Sequence, residues 1–253
     1  MPTKPIGNLF QPQPGNIRAE RSAAKCLEHC RQKLGLDEIL LPVPVDQWIE
    51  TVFDIRFGIA DLSHLGPEVL GAAYIKEHEI AIAESAMKHE GRYRFTCAHE
   101  LAHFVLHSHI ACVFKDGELP RLELADRLDR EADKFAAAFL SPLPLLEREI
   151  VSLCRAEEMD AEYCLAELMS PSAESLWLWE GFFVPFLMQQ FGISKAALVY
   201  RCRDLRLDSE DGRSFMPARI RNAILGTSPF GEDIRSIRLI DGRPRQVASS
   251  RRA

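Results

Sequence analysis

The amino-acid sequence predicts an α+β protein, with a small antiparallel or mixed sheet packed on a bundle of helices. Three observations predict it. Long helical patterns stand at both ends of the central region, three short strand-like runs cluster between residues 54 and 83, and the composition is that of an ordinary globular chain. Of 253 residues, 47% are hydrophobic and 27% charged, which suffices for one sizeable core or two small ones.

The elements follow in order. Residues 1–15 are rich in Pro, Gly and Asn and read as a loose arm. Asn16 is placed to cap a helix that runs to about Leu34 and ends at Gly35. The segment Leu41–Val45 carries two prolines, each of which disfavours helix in the residue before it. A short helix is expected from Asp46. Strands are expected over Asp54–Ile59, Leu70–Ile75 and Glu79–Ala83, the last two as a hairpin about Lys76-Glu77-His78. Long helices should cover Arg92–His107 and Arg121–Leu140, the second stopped by Ser141-Pro142. Residues 142–207 read as several more helices, and the polar remainder as a partly flexible extension. This divides the chain into 1–37, 38–205 and 206–253.

Charge and cysteine usage bound the function. The net charge of −6 argues against a broad nucleic-acid surface. The first residues lack the apolar core of a signal peptide. The stretch Leu176–Phe191 is broken by Glu180, Gly181 and Pro185 and is shorter than the roughly 18–20 residues that span a bilayer. The seven cysteines are scattered, as free thiols are in a reducing compartment. Cys26 and Cys30 have no partner pair at zinc-finger spacing and read as packing residues. A cytoplasmic protein without membrane contact is expected.

The chemistry concentrates in Phe95–His107, which contains H-E-x-x-H. On a helix His99 and His103 lie about 40° apart and can grip one metal ion, with Glu100 about 100° from His99. Zinc takes nitrogen and carboxylate oxygen in catalytic sites and acidifies water there, and a carboxylate can then take the proton. Apolar residues cover most of this helix, so it should be buried. Burying histidines and a carboxylate costs several kcal/mol unless they are satisfied, by a metal or by a hydrogen-bonded network. For a third ligand, His109 has metzincin spacing, but Leu106 occupies the required glycine position. Glu131 is the stronger candidate. It falls inside the stripe of Leu124, Leu128, Phe135, Ala138 and Phe139, whereas Asp126, Asp129 and Asp133 lie outside it or at its edge. A carboxylate facing a core binds metal or pairs with an arginine.

The runs Arg94–His103 and Glu131–Pro142, flanked by Leu41–Val45 and Phe191–Arg201, resemble the ImmA/IrrE family of metallopeptidases over residues 38–205. The resemblance implies a gluzincin-like, zincin-type peptidase domain. In it His99, His103 and Glu131 bind one Zn2+ and Glu100 is the general base and acid. Mn2+ or Fe2+ can occupy the same ligands. Members are regulators in bacteria or phages that cut a DNA-binding repressor, so a protein substrate such as a helix-turn-helix repressor is implied. The first helix is too short for a helix-turn-helix domain, so no direct nucleic-acid binding is expected.

Other residues carry weaker signals. His107 reads as a helix-end histidine or a partner of a ligand. Tyr74, Tyr93 and Arg94 are oxyanion candidates. Strand 70–75 is able to pair with an extended peptide. Trp177, Trp179, Phe182, Phe183 and Phe186 read as core, His29, His64, His78 and His89 as solvent-facing, and the tail arginines as a solvated end. Two readings stay open: a zinc peptidase, which the intact Glu100 favours, and a metal-binding interaction module of the same fold without turnover. A structural zinc site would need a fourth ligand such as His107.

Overall fold

The structure is a computed structural model and describes residues 10–111, 122–207, 214–227 and 237–247. In chain order the elements are β1 (Phe10–Pro12), α1 (Ile17–Leu34), α2 (Val45–Thr51), β2 (Arg56–Ala60), β3 (Gly71–Tyr74) and β4 (Glu79–Ala83). Helix α3 (Glu90–Ala102) continues through a π-helical turn (His103–His107) into α4 (Ser108–Ala111). There follow α5 (Leu122–Leu140), α6 (Leu143–Ala156), α7 (Ala161–Leu168), and α8 (Ala173–Leu178), which runs through a second π turn into α9 (Val184–Phe191). Then come α10 (Lys195–Arg203), β5 (Leu205–Leu207), α11 (Ala218–Ile224), β6 (Ile237–Ile240) and β7 (Arg243–Gln246). The α+β class expected from the sequence is the one observed.

The chain forms two compact units. One comprises Pro14–Pro142 with Phe191–Ser194. Its first helix, α1, buries Ala19, Ala23, Leu27 and Cys30, a stripe at helical spacing, and packs along α5. Gly35 ends it with φ +63°, a left-handed conformation that glycine adopts without a Cβ penalty. Asn16 stands at the N-cap position, but its side chain makes no capping hydrogen bond.

The sheet has the order β2-β4-β3. β4 is central, parallel to β2 and antiparallel to β3, so the expected hairpin is present and the sheet is mixed. Ile80, Ala81, Ile82 and Ala83 are all buried, as a continuous apolar run in a central strand should be. Helix α3 packs against this sheet and against α5. Its buried Cys97, Ala98, Leu101 and Ala102 confirm a helix enclosed on most sides. On α5 the buried stripe is Leu128, Ala132, Phe135, Ala136 and Phe139. The Phe135 and Phe139 rings stack at 5.6 Å, and Trp48 meets Phe139 edge-on at 6.3 Å.

The other unit holds the described residues of Met1–Gln13, Leu143–Gln190 and Lys195–Ala253. Within the arm read as loose over 1–15, the described residues are folded: β1 pairs antiparallel with β5. The reason is Phe10 itself. Its ring is buried 4.2 Å from that of Phe215, and its N–H donates to Glu147 Oε1 at 2.8 Å. Trp179 and Phe183 are fully buried, and Trp179 Nε1 donates to the Leu168 carbonyl. Part of the expected flexible extension is folded. α11 and the β6–β7 hairpin are ordered, with Arg243 Nη2 2.6 Å from Asp160 Oδ2. Arg235, Arg251 and Arg252 lie outside the described residues. Among the described residues no single helix is long and apolar enough to cross a membrane.

Candidate metal centre

Helix α3 and the π turn that continues it present His99 and His103 to α5. His99 and His103 stand one turn apart, and their Nε2 atoms approach to 3.2 Å. On α5, Asp129 and Asp133 are also one turn apart. His99 meets Asp133, with Nδ1 to Oδ1 at 2.9 Å, and His103 meets Asp129, with Nε2 to Oδ1 at 3.6 Å. His99, His103 and Asp129 each offer a ligand atom, and all three atoms lie within 4.8 Å of one another.

This donor set fits a zinc ion. Two imidazole nitrogens and one carboxylate oxygen are a zinc-type combination. With its proton on Nδ1, His99 donates to Asp133 and turns the Nε2 lone pair toward the shared point, as carboxylate-held histidine ligands do. Burial pushes the His103 imidazole down to about 3, helped by His99 and His107, so this ring is neutral and available as a ligand. Burial also pulls His99 down, but its hydrogen bond to Asp133, with the charges of Glu100 and nearby aspartates, outweighs this and the net shift is upward.

Glu100 is 7% exposed, and burial pushes its carboxyl up to about 7, against the pull of His99. What covers it is the backbone of β3. A Cβ built on Gly71 would lie 2.6 Å from Glu100 Oε1 and 2.7 Å from Thr96 Cγ2.

Glu131, the third ligand of the sequence reading, is not brought to the paired imidazoles. Its Oε2 lies 3.5 Å from His107 Nε2 and 3.6 Å from Arg18 Nη1. Asp129 takes the place beside His103. The sequence argument missed Asp129 and Asp133 because it sought a carboxylate inside the apolar stripe, and both are exposed at its edge. A usable signal was their i,i+4 spacing, which matches that of His99 and His103 on the opposing helix. His107 is buried, and its Nδ1 faces His103 Nδ1 at 3.1 Å, away from the shared point. His109 is exposed. Tyr93 reaches Asp46 at 3.4 Å, and Arg94 donates to the Val43 carbonyl at 2.6 Å and to Glu90, so both are engaged in the scaffold. Tyr74 packs against the cluster of Leu62 and Ala81. A cavity of about 550 Å³, lined mostly by apolar residues such as Phe53, Leu101 and Phe104 but also by His78, Ser108 and His109, contains none of His99, His103 and Asp129.

Among solved structures, a Mycobacterium tuberculosis transcriptional regulator is similar at 19% sequence identity and a TM-score of 0.42. The similarity covers 79% of this chain and 48% of the regulator, so the chain spans about half the length of that protein. No curated protein matches the sequence significantly. Residues 54–203 match the peptidase M78 family, described as the IrrE N-terminal-like domain. That match covers more than half of the sequence and includes the H-E-x-x-H helix and α5; the chain belongs to the ImmA/IrrE family of metallopeptidases.

Proposed function

We propose that this chain is a zinc-dependent peptidase with a narrow protein substrate, a cytoplasmic regulatory protease that cuts a transcriptional repressor or similar regulator. The observation that carries the reading is a buried carboxyl, Glu100, next to two imidazoles whose Nε2 atoms converge with Asp129. His99, His103 and Asp129 would hold the ion; in this reading Glu131 is not a ligand. Bound zinc supplies a Lewis acid that polarises the scissile carbonyl and acidifies water beside it.

The remaining work falls to the chain's own side chains. Asp133 fixes the ring of His99. Glu100 takes a proton from the attacking water on its carboxylate and returns it to the departing amine. Burial raises this carboxyl above the usual carboxylate range, which favours both transfers near neutral pH. β3 is an edge of the sheet and lies on Glu100 through Gly71. An extended peptide added along that edge would pass the carboxyl, with main-chain hydrogen bonds supplying affinity. The test is co-expression of wild type and Glu100→Gln with a candidate helix-turn-helix repressor. Wild type is expected to cut it, and the variant to cut about 10²–10⁴-fold more slowly. Equal cleavage by both would remove the reading.

A further inference from the structure

We propose that His107 and Glu131, steadied by Arg18, position the His103 imidazole from behind. The proposal rests on the reading that His99, His103 and Asp129 hold a metal ion. A neutral imidazole that binds through Nε2 carries its proton on Nδ1. His103 Nδ1 lies 3.1 Å from His107 Nδ1, so His103 is the donor of that bond and His107 the acceptor. The proton of His107 is then on Nε2. That atom is buried and makes no hydrogen bond among the described residues, and the Glu131 carboxylate faces it at 3.5 Å. Arg18 stands 3.6 Å from the same oxygen, and Arg127 Nε is 4.0 Å from the other.

The two histidine ligands are therefore held in different ways. His99 is oriented by a carboxylate directly, and His103 by a carboxylate acting through a second imidazole. His103 and His107 are i,i+4 neighbours, as His99 and His103 are, and the ring centroids of the two pairs lie 5.1 and 5.0 Å apart, so His107 stands directly behind His103. Glu131 thereby has a role on the inward-facing side of α5 without touching the ion.

Zinc affinity, measured by competition with a chromogenic chelator, tests this together with the visible spectrum of the Co2+-loaded protein. Glu131→Gln and His107→Phe are each expected to weaken zinc about 10- to 100-fold while still saturating at one ion per chain. Both should shift the Co2+ bands, and the double variant should be no weaker than the weaker single. His107 is buried and its replacement risks the fold, so Glu131→Gln decides. Wild-type affinity and spectrum in Glu131→Gln would overturn the positioning role. So would loss of the ion from Glu131→Gln with its retention in Asp129→Ala, which would make Glu131 the ligand. If wild type binds zinc, Asp129→Ala loses it and Glu131→Gln matches wild type, only this proposal falls. If wild type takes up no zinc, the metal reading falls with it.

Discussion

The proton transfers proposed for Glu100 need a carboxyl shielded from bulk solvent, and a residue with no side chain, Gly71, lies against it. Replacing Gly71 by alanine would drive a methyl to within 2.6 Å of Glu100 Oε1. Such a displacement is expected to cut turnover of the substrate by about 10- to 100-fold, with zinc content and circular dichroism unchanged. Assays of cleavage beside metal analysis check this; loss of zinc instead would show that the helix itself had moved. Asp133→Ala should act differently, freeing the His99 ring and weakening zinc about 10- to 100-fold in the chelator assay. Of these residues, only His99, Glu100 and His103 were legible in the sequence, because their spacing on one helix states their relation. Gly71 becomes meaningful only once a strand crosses that helix. Asp129 and Asp133, which the structure sets beside the two imidazoles, were passed over by a rule that looks for carboxylates in the apolar stripe. Both are exposed, and an exposed carboxylate need not lie in the apolar stripe, since it keeps access to solvent.

At the scale of elements, the long helices were readable from their apolar period, and their ends from Gly35 and Ser141-Pro142. β4 was readable as a continuous apolar run. Strand β1 was not: three residues with one proline carry no period, and its order comes from one aromatic ring seated against Phe215. The π turn was equally hidden, since its residues satisfy an α-helical pattern. The site depends on how α3 and α5 meet, and the stacked Phe135 and Phe139 anchor α5. Phe139→Ala removes a fully buried ring that also meets Trp48, and should cost about 3–5 kcal/mol in denaturant unfolding of the metal-free protein. A cost below 1 kcal/mol would show that α5 is held elsewhere.

Across the whole molecule, six described cysteines are free, five of them buried. Burial pushes the thiols of Cys30 and Cys202 up to about 12, and that of Cys26 up to about 11. A thiol pKa raised in the fold means that the unfolded chain ionises first. This contribution to stability is full below pH 9 and is lost as pH rises through 11 and 12. Thermal midpoints should therefore fall between pH 9 and 11, and less steeply when Cys30 and Cys202 are replaced by alanine; parallel slopes would count against the assignment. The strand resting on Glu100 has one more consequence for the proposed reaction. With no side chain between them, the proposed seating of a polypeptide along the sheet margin would ready the acid in the same event. Short peptides that grip that margin poorly should then turn over slowly even at saturation, losing kcat as well as KM.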